Sequence, residues 1–158
     1  QTVMPTVDLS DEEWHRVMNI TLNGTFYCCR AGGAIMERQE SGSIVNISSI
    51  NGQNPAALVA AYNVAKAGVI AYTLYLAQEL GQYNITVNCL APAYVATERL
   101  MRQSFRRVNN ISKELGVPLN RLAEPEDISK VMEFFVTDLG DYITGQTLSV
   151  CGGAVNFS

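Results

Sequence analysis

Tyr62 and Lys66 stand four residues apart in the run Tyr62-Asn63-Val64-Ala65-Lys66, and Ser49 precedes Tyr62 by thirteen positions. On a helix, a four-residue step puts two side chains on one face, one turn apart. A free phenol ionises only near a pH of about 10. An ammonium a few ångströms away favours the phenolate and lowers that pKa, so the tyrosine can serve as general acid or base near neutral pH. A hydroxyl from Ser49 can steady an alcohol or carbonyl oxygen beside it, as a preorganised donor does for developing charge. A tyrosine and a lysine at this spacing occur by chance in many helices. The pairing gains weight from the stretch before it, Gly42-Ser43-Ile44-Val45-Asn46-Ile47-Ser48-Ser49. That stretch is short, β-branched and opened by glycine, which reads as a buried strand. Ser49 then lies at the carboxyl end of the strand, where open α/β sheets bind ligands.

The elements that must position these residues can be read in chain order. Residues 1–9 show no periodicity and read as a loop. Ser10 and Glu13 form a capping box, with Ser10 at the N-cap and Glu13 reaching back. Trp14, Val17, Met18, Leu22, Phe26, Cys29, Ile35 and Met36 then mark one long amphipathic helix over about 10–39. Its glycines, Gly24, Gly32 and Gly33, are expected to allow close packing against a neighbour. After the Ser49 strand, residues 50–60 read as a loop. A helix follows over about 61–82, with Val64, Ala65, Gly68, Val69, Tyr72, Leu76 and Leu80 as its apolar stripe. Gly81 and Asn84 end it. Ile85 to Leu90 is a second buried strand. Glu124, Pro125, Glu126 and Asp127 open a further helix with Phe134 and Phe135 on its inner side, and Thr147 to Val150 is a final strand. Strands separated by helices of this length indicate an α/β fold with a doubly wound parallel sheet.

Composition narrows the function. The 158 residues are 47% hydrophobic and 16% charged, an ordinary globular balance with enough chain for one core. A net charge of −4 argues against nucleic acid or an anionic membrane as partner. The longest apolar run, Ala56 to Ala61, is far short of a membrane span. Cys28, Cys29, Cys89 and Cys151 fit no zinc spacing and read as reduced core thiols of a cytoplasmic protein, with no metal site. His15 reads as a surface residue. Arg99, Arg102, Arg106, Arg107, Lys113 and Arg121 crowd into residues 98–121 of this acidic chain. They read either as a solvated helix face or as recognition of an anionic substrate by guanidinium groups.

The strand ending in Ser49, the Tyr62–Lys66 pair, Trp14 to Phe26, Val87-Asn88 through Thr97, Glu124 to Asp127 and Gly145 through Gly152-Gly153 together resemble the short-chain dehydrogenase/reductase superfamily, of its classical type. The resemblance implies a Rossmann-type sheet. It also implies hydride transfer between NAD or NADP and a secondary alcohol or ketone, a small-molecule substrate. Under it, Tyr62 is the general acid/base, Lys66 supports it and binds the nicotinamide ribose, and Ser49 orients the substrate oxygen. The family's catalytic asparagine, which holds a relay water, is matched here by Thr21. Pro92 and Ala93 stand where the family has Pro-Gly, the Val95 backbone would bind the cofactor carboxamide, and the Thr97 hydroxyl would reach cofactor oxygens or cap the next helix. Residues 98–122 correspond to the family's substrate lid, the two long helices to its dimer interface in a homo-dimer or homo-tetramer, and Cys151 to a common aspartate. Further readings are a non-catalytic cofactor-sensing or scaffold protein on the same fold, an epimerase or dehydratase that also uses the tyrosine–lysine pair, and 3-oxoacyl-carrier-protein reduction as the specific activity. The family's Thr-Gly-xxx-Gly-x-Gly phosphate loop does not occur. Residues 1–158 are therefore expected to be the C-terminal, catalytic half of a single Rossmann-type domain, with one bare apolar sheet edge.

Overall fold

The computed structural model describes residues 2–98, 100 and 115–155. Its sheet has three parallel strands in the order β1 (Gly42–Ile47), β2 (Ile85–Pro92) and β3 (Thr147–Val150). Helix α3 (Ala60–Leu80) connects β1 to β2, and α4 (Pro125–Val136) lies in the connection from β2 to β3. Successive strand residues face opposite sides of a sheet. Asn46 bonds Cys29 and Thr73 on the side of α2 (Gly24–Gln39) and α3, whereas Ser43 donates to the Phe135 carbonyl of α4. Helices therefore cover both faces, and the doubly wound reading holds.

The core follows from this layering. Cys29, Leu76, Ala77, Leu80, Ile85 and Val87 form one buried cluster between α2, α3 and the sheet. Val17, Ala61 and Ala65 form a second, on which Trp14, Leu22 and Tyr62 pack. β2 is buried almost throughout because it has a neighbour on either side. Among the described residues β1 has one on a single side, and Ile47 is 39% exposed. Among the described residues, no helix is long and apolar enough to cross a membrane.

The long first helix departs from a regular α-helix. Regular turns run over α1 (Asp11–Met18) and α2, but Asn19–Asn23 between them is a wider π-helical segment. Such segments insert a residue and re-aim the face beyond them. Beyond this one, Phe26 and Ile35 are exposed rather than buried, together with Tyr27, and the Arg30 guanidinium lies over the Phe26 and Tyr27 rings. Only half of the expected capping box forms at Ser10. Its Oγ accepts the Glu13 N–H at 3.3 Å, but the Glu13 carboxylate turns to Arg16 and Thr2. A guanidinium fork is a stronger donor than a lone backbone N–H. The reciprocal box forms instead at Glu124 and Asp127, at the start of α4.

Smaller departures have local causes. Thr6–Asp8 and Ile50–Gly52 coil into single 3₁₀ turns rather than open loop. Gly81 keeps right-handed helical geometry, and Asn84, at φ 56°, is the left-handed residue after α3. On α3, Val64 is exposed, and Ala61, Thr73 and Ala77 take up the buried stripe with Ala65, Val69, Leu76 and Leu80. A Cβ on Gly32 would meet nothing within 4 Å and one on Gly33 would make only ordinary contact with Leu80, so neither is required by close packing among the described residues. Cys28 is exposed, unlike the buried Cys29 and Cys89. Arg99, Arg102, Arg106, Arg107 and Lys113 of the expected lid lie outside the described residues.

Candidate active site

The site is built where β1 ends. The Ser48 N–H continues the ladder to the Leu90 carbonyl at 2.7 Å, and the chain then enters the 3₁₀ turn Ile50–Gly52. Ser49 is the cap of that turn. Its Oγ accepts the Asn51 N–H at 3.2 Å. A hydroxyl has one proton and two acceptor sites, so this bond leaves the Ser49 proton available for a substrate oxygen.

Helix α3 delivers the other two groups. Asn63 ties the helix start to the preceding loop, its Nδ2 donating to the Ala56 carbonyl at 2.7 Å. Tyr62 is half-buried against Val17, Ala61 and Ala65. One turn on, the Lys66 Nζ lies 5.7 Å from the centroid of the Tyr62 ring and donates to the Ile47 carbonyl at 2.8 Å. Burial pushes the Lys66 ammonium below the ordinary lysine range, and nearby Cys89 opposes that shift in part. Lys66 thus joins the Tyr62 turn of α3 to the end of β1, two residues before Ser49.

Thr21 sits in the π-helical segment, half-buried, and its carbonyl accepts the Thr25 hydroxyl at 2.8 Å. The adjacent Leu22 packs so closely on α3 that a Cβ on Gly68 would stand 2.9 Å from it. The wide turn is therefore seated on α3 at Gly68, two residues beyond Lys66.

Pro92 closes β2, and the chain beyond it runs beside the loop that leads into α4. Val95 forms a parallel bridge with Ala123 whose bonds are made by its neighbours, Ala96 N–H to Ala123 O at 2.7 Å and Ala123 N–H to Tyr94 O at 3.0 Å. In a parallel bridge, the central residue's own N–H and C=O point away from the partner strand. The Val95 carbonyl takes the Thr97 N–H at 2.7 Å, and the Thr97 Oγ1 accepts the Leu100 N–H at 3.4 Å, in the manner of a helix cap. Ala93 lines a cavity of about 220 Å³ with Tyr94, Val150 and Cys151. Ser49, Tyr62 and Lys66 are not among its lining residues.

One residue that orders the sheet has a role the sequence reading did not assign. Asn88 is fully buried in β2, donates to the Ile143 carbonyl at 2.7 Å and accepts the Gln146 N–H at 3.0 Å. It fixes the approach to β3. Its signal was present, as an amide in the middle of an apolar strand, where burial without partners would be costly.

Residues 2–155 match the family described as enoyl-(acyl carrier protein) reductase. A short-chain type dehydrogenase/reductase from Mycobacterium ulcerans superposes with a TM-score of 0.91 at 30% identity, covering 98% of this chain and 56% of that one. The chain belongs to the short-chain dehydrogenase/reductase family. A 3-oxoacyl-[acyl-carrier-protein] reductase of Chlamydia trachomatis is 42% identical over 147 residues, which cover 92% of this chain and 58% of that protein. A 3-oxoacyl-[acyl-carrier protein] reductase from Brucella melitensis, solved with bound NAD, has a TM-score of 0.84 at 31% identity, over 96% of this chain and 55% of that one. The chain thus spans a little over half the length of these family members.

The residues present fit a nicotinamide cofactor. Lys66 has three ammonium donors, of which one is given to Ile47, and an ammonium is a suitable donor for ribose hydroxyls. The Val95 N–H points away from its bridge partner, as a donor to a carboxamide oxygen would.

Proposed function

We propose that the complete protein is an oxidoreductase that moves hydride between NAD or NADP and a secondary alcohol or ketone. The observation that carries this reading is the Lys66 ammonium, fixed on the Ile47 carbonyl and standing 5.7 Å from the Tyr62 ring, at the strand end that bears Ser49. The nicotinamide, when bound, supplies or takes up the hydride. In the direction of reduction, Ser49 donates a hydrogen bond to the substrate carbonyl and stabilises the charge that develops there. Tyr62 gives its proton to the same oxygen, and the positive charge of Lys66 stabilises the phenolate left behind. Thr21 holds a relay water less firmly than an asparagine would. Lys66 and Tyr62 bind the ribose, and Pro92, Ala93, Val95 and Thr97 border the nicotinamide. These roles rest on the match to the family motif together with the geometry above.

Retention of Ser49, Tyr62 and Lys66 favours this reading over a non-catalytic scaffold. Within it, a 3-oxoacyl thioester is one substrate class, supported by the likeness to the C. trachomatis reductase. An anionic carrier would suit the arginines of residues 98–122, which we assign to the substrate lid of this single Rossmann-type domain. The exposed stripe of Val64, Leu74 and Tyr75 on α3, beside exposed Phe26 and Tyr27 on α2, supports a homo-oligomer. Free thiols, with Cys28 exposed, support a cytoplasmic setting.

The test is cofactor depletion over a panel of ketones and alcohols. The panel includes acetoacetyl-CoA and a 3-oxoacyl carrier protein, with each nicotinamide cofactor in turn. Turnover of at least one carbonyl or secondary alcohol is expected. Cofactor binding without turnover of any panel member would favour the sensing or scaffold reading.

A further inference from the structure

We propose that Ser48 and Gly52 clamp the backbone of α3 at Lys66, which makes Ser48 a positioning residue for the catalytic lysine. The use of this clamp rests on the oxidoreductase reading, while its geometry stands apart from it. Ser48 continues the strand parity of Ile44 and Asn46, so it points to the α3 side of the sheet. It is 3% exposed, and its hydroxyl donates to the Lys66 carbonyl at 2.7 Å. Inside a helix that carbonyl already has the N–H four residues on as its partner. The serine is thus an added donor, and helix continuity does not require it.

Gly52 brings the turn against the same point. A Cβ there would stand 2.8 Å from both the carbonyl carbon and oxygen of Lys66, and 2.9 Å from the Ser48 Oγ. The Gly52 N–H closes the turn on the Ser49 carbonyl at 2.9 Å. Lys66 is consequently held at both ends by successive residues. Ile47 takes its ammonium, Ser48 takes its backbone, and the next residue is Ser49. The Ser48 contact ties α3 to the strand end that lies next to the substrate-orienting hydroxyl.

The experiment compares the complete protein with its Ser48→Ala and Gly52→Ala variants. The first removes the bond without adding bulk, and the second forces the turn off the helix. Two readouts are taken on variants whose thermal unfolding shows them folded. One is the titration of the Lys66 ammonium by NMR of isotope-labelled lysine without cofactor, assigned by its loss in Lys66→Met. Burial holds this group below its ordinary range, so a loosened seat that admits water should move its midpoint up in both variants. The other is steady-state reduction of acetoacetyl-CoA, or of whichever panel substrate is turned over. There kcat should fall about tenfold with KM nearly unchanged, as expected for a misplaced catalytic group. An unmoved Lys66 midpoint, or a loss of kcat that only tracks the folded fraction, overturns the clamp. If the wild type turns over nothing, the oxidoreductase reading fails. The Lys66 titration then decides the clamp alone, a shift supporting it and no shift overturning it.

Discussion

At the scale of single residues, three consecutive positions carry most of the site. Ile47 accepts the Lys66 ammonium, Ser48 donates to the Lys66 carbonyl, and we assign Ser49 to the substrate oxygen, so in this proposal each position at the strand end has its own role. Thr21 is one position where this chain leaves the family pattern, beside Ala93 and Cys151. Thr21→Asn should keep or raise kcat, and Thr21→Val should lower it, because only the valine form loses the polar partner for a relay water. Equal steady-state rates for the three forms would show that the position only packs. Thr73 makes a separate point about stability. It is fully buried, donates to the Val69 carbonyl and accepts the Asn46 Nδ2 at 2.9 Å. Thr73→Val leaves that amide without its acceptor, so urea unfolding should show a loss of about 1–3 kcal/mol.

Among the elements, strands and helix starts were legible in the sequence, and the full cap geometry and the irregular turns were not. Gly42 and the β-branched run after it placed β1, and Pro125 with its flanking acids placed α4. The π-helical segment at Asn19–Asn23 left no mark, because its apolar residues keep steps that a regular helix would also use. The same ambiguity hid the second, exposed stripe of α3, where Val64 reads as apolar whichever way it faces. Two helix starts depend on carboxylates whose charge matters. Arg16 and then Thr2 hold Glu13 down to about 2, while Arg121 and then the Glu124 N–H hold Asp127 down to about 2. Both pKa values are depressed in the folded chain. The stability they give is therefore present above their ordinary values of about 4 and is lost as pH falls toward about 2. Thermal unfolding should show a steepening loss across that window, and Asp127→Asn should flatten it. A loss as steep as that of the parent would assign the effect to other groups.

For the whole molecule, family membership and the doubly wound sheet were legible from motifs alone. The places of Ser49 just past β1 and of Tyr62 and Lys66 one turn apart on α3 were legible because strand end and helix turn each fix one coordinate. The clamp behind them was not, since it depends on a distance between a turn and a helix that no local pattern encodes. The phosphate-binding glycine loop of the family is not among these residues, and β1 leaves an edge with Ile47 exposed. A polypeptide of residues 1–158 alone should therefore show no micromolar binding of NAD or NADP by calorimetry, and such binding would show that the loop is dispensable. The central claim, that Tyr62 is the general acid/base of a nicotinamide-dependent oxidoreductase, is tested most directly by kcat of Tyr62→Phe in the complete protein, on a substrate that the wild type turns over. The ring packing stays and only the hydroxyl goes, so fold and cofactor affinity should persist while kcat falls by about 10²–10⁴-fold. A phenylalanine form that keeps more than about a tenth of the wild-type kcat would contradict the assignment.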